Sequence, residues 1–384
     1  NTSNTSNTSN TSNTPIDKSI STTGLKYVDD ISDKIVFSFG NEIQFEKVNL
    51  NSYFSINHIY ECNKKKYNNI EWNDLNKFTD TQDKYIAQFN NVKINNKGIM
   101  YDSENIYRLN NKDFYKKLIT TKESYVFDEN SVVFNCIQKN GLNYYQWLCE
   151  VYPRLLHIKL YIENNSNLFK NKSIVLLLYY EDNFIKKFLE ILNFKNVVIC
   201  PYDSCIEYYC STLYLYTPSI YENPSKDSID IIRRSLFNNS VCIPRINIII
   251  KSNTNNIISN FDSIYNLLKN NYSDYQWIIY DNTDEVFNDV IKTIQLFSQA
   301  KLIIGTHDSG LTNMIFASPE CKILELHPED SGNMCYWHLS NILENNHNIL
   351  SVKNIDKNKI LVNLDQLDYT VNKLLDDIFN IDNI

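Results

Sequence analysis

The chain alternates unbroken apolar segments with amphipathic segments, and it does so in two separate runs. The first run lies between residues 132 and 237, and the second lies between residues 245 and 379. Strands that are apolar without interruption are buried on both faces, as happens when helices cover a parallel sheet. The pattern therefore predicts an α/β fold with two doubly wound domains, joined near 238–244, and a cleft between them.

The individual elements follow from the length and period of each segment. In the first run we predict strands at 132–134, 173–179, 196–200 and 213–216, and helices at 143–163, 183–192 and 225–237. In the second run we predict strands at 245–251, 276–280, 301–305, around 323 and around 349, and helices at 262–269, 285–300 and 364–379. Between residues 25 and 125 the signals are mixed, with strands expected only at 35–39 and 43–48.

The chain opens with Asn-Thr-Ser repeated four times, so residues 1–24 are predicted to be a disordered linker. A linker in this position leads us to expect a further domain upstream.

Charge and cysteine content narrow the functional class. The net charge is −8 and no long cluster of Lys or Arg occurs, which argues against a nucleic-acid partner. The nine cysteines are scattered without a CxxC pair. Free thiols in a reducing, cytoplasmic setting are therefore expected, with a zinc or disulfide site as the alternative. No apolar run reaches the ~18 residues of a membrane span, and no signal peptide is visible.

One polar loop lies between an apolar strand and a predicted helix start. It reads Gly305-Thr-His307-Asp-Ser-Gly310-Leu-Thr-Asn313. A helix start after a strand offers backbone N–H groups to a phosphate, and a histidine can contact a diphosphate or carry a proton. The alternative is a turn with helix-capping hydroxyls. Asp308 is a negative charge where an anion is expected. The candidate ligand-binding residues here are Gly305, His307, Ser309, Gly310, Leu311, Thr312 and Asn313, with Asp308 on the substrate side.

A second constellation lies on the helix predicted at 143–163. At 100° per residue its polar side chains fall within about 80° of one another. They could line a cleft, or they could form a solvated face with a Glu150–Arg154 ion pair. Pro153 should kink this helix or mark a new start. The polar residues are Asn143, Gln146, Glu150, Arg154 and His157.

Two strand ends add charged candidates. Lys251-Ser252 ends the first strand of the second run, where a cation could offset diphosphate charge. The alternative is that Lys251 is an ordinary surface lysine without a ligand. Glu325 follows an apolar strand and could accept hydrogen bonds from ribose hydroxyls.

Together these segments resemble glycosyltransferase family 61, which includes plant xylosyl- and arabinosyltransferases. The family's Asn-x-x-His-Trp-Leu helix followed by Glu/Asp and Pro-Arg corresponds here to Asn143-Tyr-Tyr-Gln146-Trp147-Leu-Cys-Glu150-Val-Tyr-Pro-Arg154. Its Gly-x-His-Gly-Ala-Gly-Leu-Thr-Asn loop corresponds to 305–313. The resemblance covers roughly residues 130 to 350.

The resemblance implies a GT-B arrangement of two Rossmann-like domains. Residues 25–240 would form an N-terminal acceptor-side domain, and residues 241–363 a C-terminal domain that binds the nucleotide-sugar. Residues 364–384 would form a helix that packs back on the N-terminal domain. The resemblance also implies inversion at the anomeric carbon without a metal, with a nucleotide-sugar, expected to be a UDP-sugar, as cosubstrate and no tightly bound cofactor.

The chain departs from the family pattern at several positions. Gln146 replaces a histidine, which removes a proton-transfer role there. Asp308 and Ser309 replace Gly and Ala. The family's arginines after the strand at 245–251 are missing, and Lys251 is followed by Ser-Asn-Thr-Asn-Asn.

The leading hypothesis is an inverting glycosyltransferase that moves a hexosyl or pentosyl group to a hydroxyl of a glycan or protein. Glu150 is the first candidate base and His307 the second. Lys251, Ser252, His307 and backbone N–H groups near Ser309–Leu311 would bind the diphosphate. Asn143, Gln146, Trp147 and Arg154 would bind substrate. The alternatives are a catalytically reduced fold that binds a nucleotide or glycan, and another α/β enzyme acting on a phosphorylated metabolite.

Overall fold

A computed structural model describes residues 26–28, 30–38, 84–95, 98–107, 123–217, 219, 221–237, 243–281 and 289–379. The linker predicted at 1–24 and the strand predicted at 43–48 lie outside these residues. The described part is a mixed α/β structure with two sheets. Each predicted strand from 132 onward is present, as are the predicted helices, with bounds shifted by a few residues.

The first sheet combines a parallel part with an antiparallel extension. Strands β10, β7, β8 and β9 are parallel neighbours, and β3 joins β10 antiparallel to begin the extension through β4 and β5. The strand predicted at 35–39 is present as β2 and pairs with β3, but the rest of the extension was not predicted. The strands are β1 Lys26–Val28, β2 Ile35–Ser38, β3 Tyr85–Ile94, β4 Met100–Tyr101, β5 Asn105–Tyr107, β6 Glu123–Val126, β7 Ser131–Asn135, β8 Ser173–Leu178, β9 Val197–Pro201 and β10 Ile206–Tyr216.

Within the described residues, the α-helices cover only one face of this first sheet. On β8, Ile174 and Leu176 point into the core that holds the helices, whereas Val175 and Leu177 point into a second core built from strands and aromatic loop residues. The first half is therefore not doubly wound in the described part, contrary to the prediction. Its helical elements are a 3₁₀ helix Ser32–Lys34, α1 Tyr144–Gln146, a π-helical turn Trp147–Val151, α2 Tyr152–Asn164, α3 Asn183–Leu192 and α4 Lys226–Leu236.

The second sheet has the predicted doubly wound form. Its order is β12-β17-β16-β15-β14-β11-β13, and the five strands from β16 to β13 are parallel. The strands are β11 Ile246–Lys251, β12 Ile257–Ile258, β13 Trp277–Asp281, β14 Ala300–Thr306, β15 Lys322–Pro328, β16 Asn346–Asp356 and β17 Lys359–Leu361. The helices are α5 Phe261–Asn271, α6 Val290–Phe297, a 3₁₀ helix Ser309–Phe316, α7 Cys335–Ile342 and α8 Leu364–Phe379.

The two sheets share one core. A single cluster of buried apolar side chains includes Phe134 and Leu176 of the first sheet, Leu155 of α2, and Ile248 and Ile323 of the second sheet. The helices of both halves that lie between the sheets fill this cluster. The other face of the second sheet is covered separately by α5 and α8.

Helix α8 packs on the second sheet and not on the first half. Its Leu367, Val371 and Leu374 lie in the cluster with Ile264 of α5. Lys322 of β15 donates a hydrogen bond from Nζ to the carbonyl of Leu374 at 2.7 Å. The predicted return of the 364–384 segment to the N-terminal half is therefore wrong for the part of the helix that the structure describes.

Two further features are the apolar character of the helices and the state of the cysteines. Among the described helices, none combines the length and apolar character required to cross a membrane. The seven cysteines within the described ranges are all free thiols, at positions 136, 149, 200, 205, 210, 321 and 335.

Candidate active site

Among the described strands, each sheet has one position where the order of its parallel strands reverses. In the second sheet the chain leaves β11 for β13 on one side and later returns to β14 on the other. In the first sheet, β8 and β10 lie on opposite sides of β7. Ligands of open α/β sheets bind outside the carboxyl ends of the strands at such points. Ser252 and His307 follow β11 and β14, and Gln138 and Glu222 follow β7 and β10.

At the second-sheet crevice, a buried carboxylate is held between two histidines. Glu325 of β15 lies 2.5 Å from Nδ1 of His307 through Oε1 and 2.8 Å from Nε2 of His347 through Oε2. The side chain of Glu325 is 0% exposed, whereas that of His307 is 14% exposed. Of Glu325, His307 and His347, His307 therefore has the most exposed side chain.

The charge of Glu325 fixes which histidine nitrogens carry hydrogen. Burial by itself would raise the pKa of Glu325, but the charge and hydrogen bond of His307 and the bond from His347 outweigh burial, and the pKa falls well below its ordinary value. Because an ionised carboxylate only accepts hydrogen bonds, Nδ1 of His307 and Nε2 of His347 must donate. Nε2 of His307 is then the nitrogen left for a substrate.

This arrangement corrects the expected role of Glu325. Both carboxylate oxygens are engaged and the residue is enclosed, so ribose hydroxyls could reach it only by displacing a histidine. Glu325 instead orients His307, in the way that a carboxylate orients the imidazole of a general acid or base.

Metal ligation is a further possibility that the local geometry can test. Ligand atoms of His307, Glu325 and His327 lie within 4.8 Å of one another. However, both ring nitrogens of His327 face carbonyl oxygens, at 3.0 Å from Pro328 and 2.9 Å from Asn333. The separation of 2.5 Å between His307 and Glu325 is that of a hydrogen bond. A metal ion would have to replace these bonds, so the residues fit a hydrogen-bonded network better than an ion.

Asp308 occupies the helix start that was expected to bind a phosphate. It caps the 3₁₀ helix, and its Oδ1 accepts a hydrogen bond from the backbone N–H of Ser309 at 2.6 Å. The N–H of Leu311 is bonded to the carbonyl of Asp308. The backbone N–H groups at Ser309–Leu311 that were expected to bind phosphate are therefore largely bonded to Asp308. This explains the negative charge at this position, because the carboxylate takes the place of an N-cap anion.

The loops after β11 and β14 are bonded to each other across the crevice. The hydroxyl of Ser252 lies 2.5 Å from Oδ2 of Asp308, and Asn256 donates to the carbonyl of His307 at 2.7 Å. Ser252 and Asp308 are both buried. Ser252 therefore supports the loop and does not face a ligand.

Most other candidates in the loop are structural. A Cβ on Gly305 would approach Ile250 and Leu311 to 3.0 and 3.1 Å, so the glycine allows the strand to pack closely. The buried loop residues that face protein are Gly310, Leu311, Thr312 and Asn313. The predicted cofactor-binding residues that keep some exposure are Lys251, His307 and Ser309. Nζ of Lys251 lies 3.6 Å from Asp281, at the end of β13.

The motif helix is interrupted by a π-helical turn, and most of its polar face is buried. The turn spans Trp147–Val151, and α2 restarts with Pro153 in its first turn, as expected for a new start. The polar residues Gln146, Glu150, Arg154 and His157 are all buried. The predicted solvated face is therefore wrong. Asn143 caps the helix start through a bond from the N–H of Tyr145 at 2.9 Å.

Glu150 and Arg154 do not pair directly but share Gln138. Arg154 donates to Oε1 of Gln138 at 2.8 Å, and Nε2 of Gln138 donates to Oε2 of Glu150 at 2.6 Å. The backbone N–H of Glu222 donates to Oε1 of Glu150 at 2.8 Å. Burial raises the pKa of Glu150 to about 8. Glu150 is 0% exposed, so the carboxylate expected as a base is enclosed.

The two motifs meet in the structure. The hydroxyl of Tyr144 donates to Oδ1 of Asn313 at 2.8 Å. The ring of Tyr145 packs edge-on against Tyr336, which in turn packs edge-on against His307, with centroid distances of 5.5 and 4.9 Å. The helix after β7 and the loop after β14 therefore form one site.

A comparison with models of known protein families tests the resemblance that these two motifs suggested. The model named Glycosyltransferase 61 matches residues 144–324. Residues 144–324 belong to glycosyltransferase family 61. The predicted resemblance is confirmed, and family 61 membership supports a transferase that uses a sugar donor and an acceptor. No curated protein matches the chain.

The family 61 segment contains or contacts several site residues that the sequence did not single out. Each of them contacts another residue of the site, and none belongs to a motif that can be seen in the sequence. These residues are Gln138, Glu222, Asn333, Tyr336 and His347. The only usable signal was the strand order, which would have drawn attention to the loops after β7 and β10.

Proposed function

We propose that the protein is an inverting glycosyltransferase with a GT-B arrangement. It would transfer a hexosyl or pentosyl group from a nucleotide-sugar, expected to be a UDP-sugar, to a hydroxyl of a glycan or protein, without a metal. Family 61 membership supports the reaction class. The two crevices support the arrangement, because one can hold the donor and the other the acceptor.

The observation that carries this proposal is the pairing of His307 with Glu325 at the second-sheet crevice. A histidine that is oriented by a buried carboxylate and whose ring stays partly exposed is suited to bind an anion or move a proton. We assign Nε2 of His307 to the leaving diphosphate. Lys251, which is partly exposed at the adjacent strand end, would offset further phosphate charge.

In the proposed reaction an acceptor oxygen forms a bond to C1 of the sugar as the bond from C1 to the diphosphate oxygen breaks. The electron pair of that bond leaves with the diphosphate, and the acceptor hydroxyl loses its proton. Groups that favour the charge developing on the diphosphate speed this step, because they act more strongly in the transition state than in the ground state.

The test is a measurement of UDP or GDP release from a panel of nucleotide-sugars. We expect His307→Ala to lower kcat by about 100-fold or more, as does loss of one stabilising donor in other transferring enzymes. Lys251→Ala should raise the donor KM several-fold. Lys301, at the opposite end of β14, provides the matched control, and Lys301→Ala should leave both constants unchanged. Nucleotide release by His307→Ala at the wild-type rate would contradict the assignment of His307 to the leaving diphosphate.

One observation favours a second function, a catalytically reduced fold that binds a nucleotide or glycan. Asp308 fills the helix start with its own negative charge, which opposes a diphosphate there. Calorimetric titration with the same panel separates the two functions. Binding of a nucleotide-sugar without turnover of any donor would favour the binding module.

A further inference from the structure

Glu222 has a backbone conformation that is unusual for its side chain. Its φ is 57°, in the left-handed region that glycine and asparagine prefer. Bulky residues are held there only when the surrounding structure determines the conformation, and such positions concentrate at functional sites. Glu222 lies in the loop after β10, at the first-sheet crevice.

Three groups from different parts of the chain hold Glu222 in place. Its N–H donates to Glu150 of the motif helix at 2.8 Å. Its Oε2 accepts a hydrogen bond at 3.0 Å from Asn333, which follows β15 in the other half. The hydroxyl of Tyr221 also bonds its carboxylate. The loop is therefore fixed on both sides of the boundary between the halves.

Asn333 connects Glu222 to the histidine cluster. The carbonyl of Asn333 lies 2.9 Å from Nε2 of His327, whose ring centroid is 5.0 Å from that of His307. Glu222 thus lies at the first-sheet crevice and is linked to His307 of the second-sheet crevice through Asn333 and the ring of His327. An inverting displacement needs its base and its leaving group on opposite sides of the reacting carbon. Glu222 and His307 lie at different crevices, so a sugar bound across the two crevices would have one of these groups on each side.

Exposure distinguishes Glu222 from Glu150. Glu150 is fully enclosed and both of its oxygens accept hydrogen bonds, one of them from Glu222 itself. The side chain of Glu222 is only partly buried. Glu150 therefore positions the backbone of Glu222, and Glu222 keeps the partial exposure that Glu150 lacks.

We propose that Glu222 is the catalytic base that takes the proton of the acceptor hydroxyl, an assignment that rests on the proposed transferase function. As the acceptor oxygen bonds to C1, its proton passes to a carboxylate oxygen of Glu222. The C1–diphosphate bond breaks at the same time, and its electron pair leaves with the diphosphate at His307. No oxidant, metal or further reactant is required.

The test uses full-length protein and hydrolysis of a nucleotide-sugar that wild-type protein turns over, with water as the acceptor. Glu222→Gln keeps the size and removes the base, and it should lower kcat at least about 100-fold with the donor KM nearly unchanged. Glu222→Gly relieves the left-handed backbone and keeps the N–H bond to Glu150, so it should fold. Added formate should restore the activity of Glu222→Gly at least tenfold, because a small carboxylate can occupy the vacated space.

Glu344 provides a matched control. It is also a glutamate with a left-handed φ, 62°, but it lies before β16 at the opposite end of the sheet with a 72% exposed side chain. Glu344→Gln should keep wild-type activity. Wild-type rates in Glu222→Gln would overturn the base assignment, and so would low activity of Glu222→Gly that formate does not restore. Wild-type protein that hydrolyses no donor would overturn the transferase function itself.

Discussion

Tyr144 and Asn313 are joined by a buried hydrogen bond of 2.8 Å, although they lie 169 residues apart in the chain. Tyr144 opens the motif helix of the first half, and Asn313 belongs to the 3₁₀ helix of the second half. Asn313 also donates to the carbonyl of Gly310 at 3.0 Å. The bond therefore sets the distance between the two family motifs and braces the loop that carries His307.

Loss of the Tyr144 hydroxyl should destabilise the junction between the halves. Tyr144→Phe leaves Oδ1 of Asn313 buried without this donor, which should lower the free energy of unfolding by about 1–3 kcal/mol. Urea unfolding followed by circular dichroism measures this value. The control is Tyr369→Phe on α8, where the side chain is exposed and little change is expected. Equal stability of the two variants would show that the bond does not brace the junction.

Removal of the Asp308 charge should strengthen nucleotide binding. Asp308→Asn keeps a good helix cap but removes the negative charge from the helix start. The Kd for UDP, measured by calorimetry, should fall roughly five- to tenfold, which corresponds to about 1 kcal/mol of removed repulsion. Asp365→Asn removes an equal charge from an exposed position on α8 and should leave the Kd unchanged. Weaker binding in Asp308→Asn would place the diphosphate elsewhere.

The buried carboxyl of Glu150 should make stability depend on pH. Its pKa rises from 4.5 to about 8 on folding because of burial. Below pH 4.5 the group is protonated in both states, so the full contribution to stability is present. As the pH rises from 4.5 to 8, the unfolded chain releases this proton first, and stability falls by up to about 1.4 kcal/mol per pH unit.

Glu150→Gln should lack this pH dependence. Urea unfolding at pH 5 and pH 7.5 should show the variant gaining stability relative to wild type at the higher pH. Glu163→Gln, which removes an exposed carboxylate from the same helical region, should follow the wild-type curve. Parallel curves for Glu150→Gln and wild type would contradict the buried, protonated state of Glu150.

The charge of Glu325 should matter for both histidines. In Glu325→Gln the side chain has one accepting oxygen and one donating NH₂, so it cannot accept hydrogen bonds from His307 and His347 together. We expect kcat to fall at least about tenfold through a misoriented His307, with stability lowered by about 2–3 kcal/mol. The exposed Glu320, just before β15, gives the control Glu320→Gln. Unchanged kcat in Glu325→Gln would mean that His307 is positioned by other contacts.

The strands and helices of the two runs could be predicted because their signal is local. Strand β8 is a run of apolar residues in sequence and is buried on both faces in the structure. The antiparallel extension around β3 was missed because its strand includes Asn90 and Asn91, with Asn91 in a left-handed conformation. Such residues weaken the strand signal, and only the long pairing with β10 overrides it.

The sequence predicted that the two motifs face each other, and the structure brings them into contact, but the individual contacts were not predicted. The helical-wheel argument assumed 100° per residue, and the π-helical turn at Trp147–Val151 breaks that assumption. The sequence showed a carboxylate at Asp308, but only the geometry shows that it caps its own helix. Glu222 had no sequence signal at all, because its position depends on contacts with Glu150 and Asn333, 72 and 111 residues away.

The core that runs continuously through both sheets also limits how the halves can move. Two domains that touch only at a thin boundary can swing apart around a linker, but here Leu155 and Ile248 lie in the same apolar cluster. Separating the sheets would expose that cluster to water, so wide opening is strongly disfavoured. Substrate exchange should then depend on small displacements of the crevice loops. The halves should also melt together in one thermal transition.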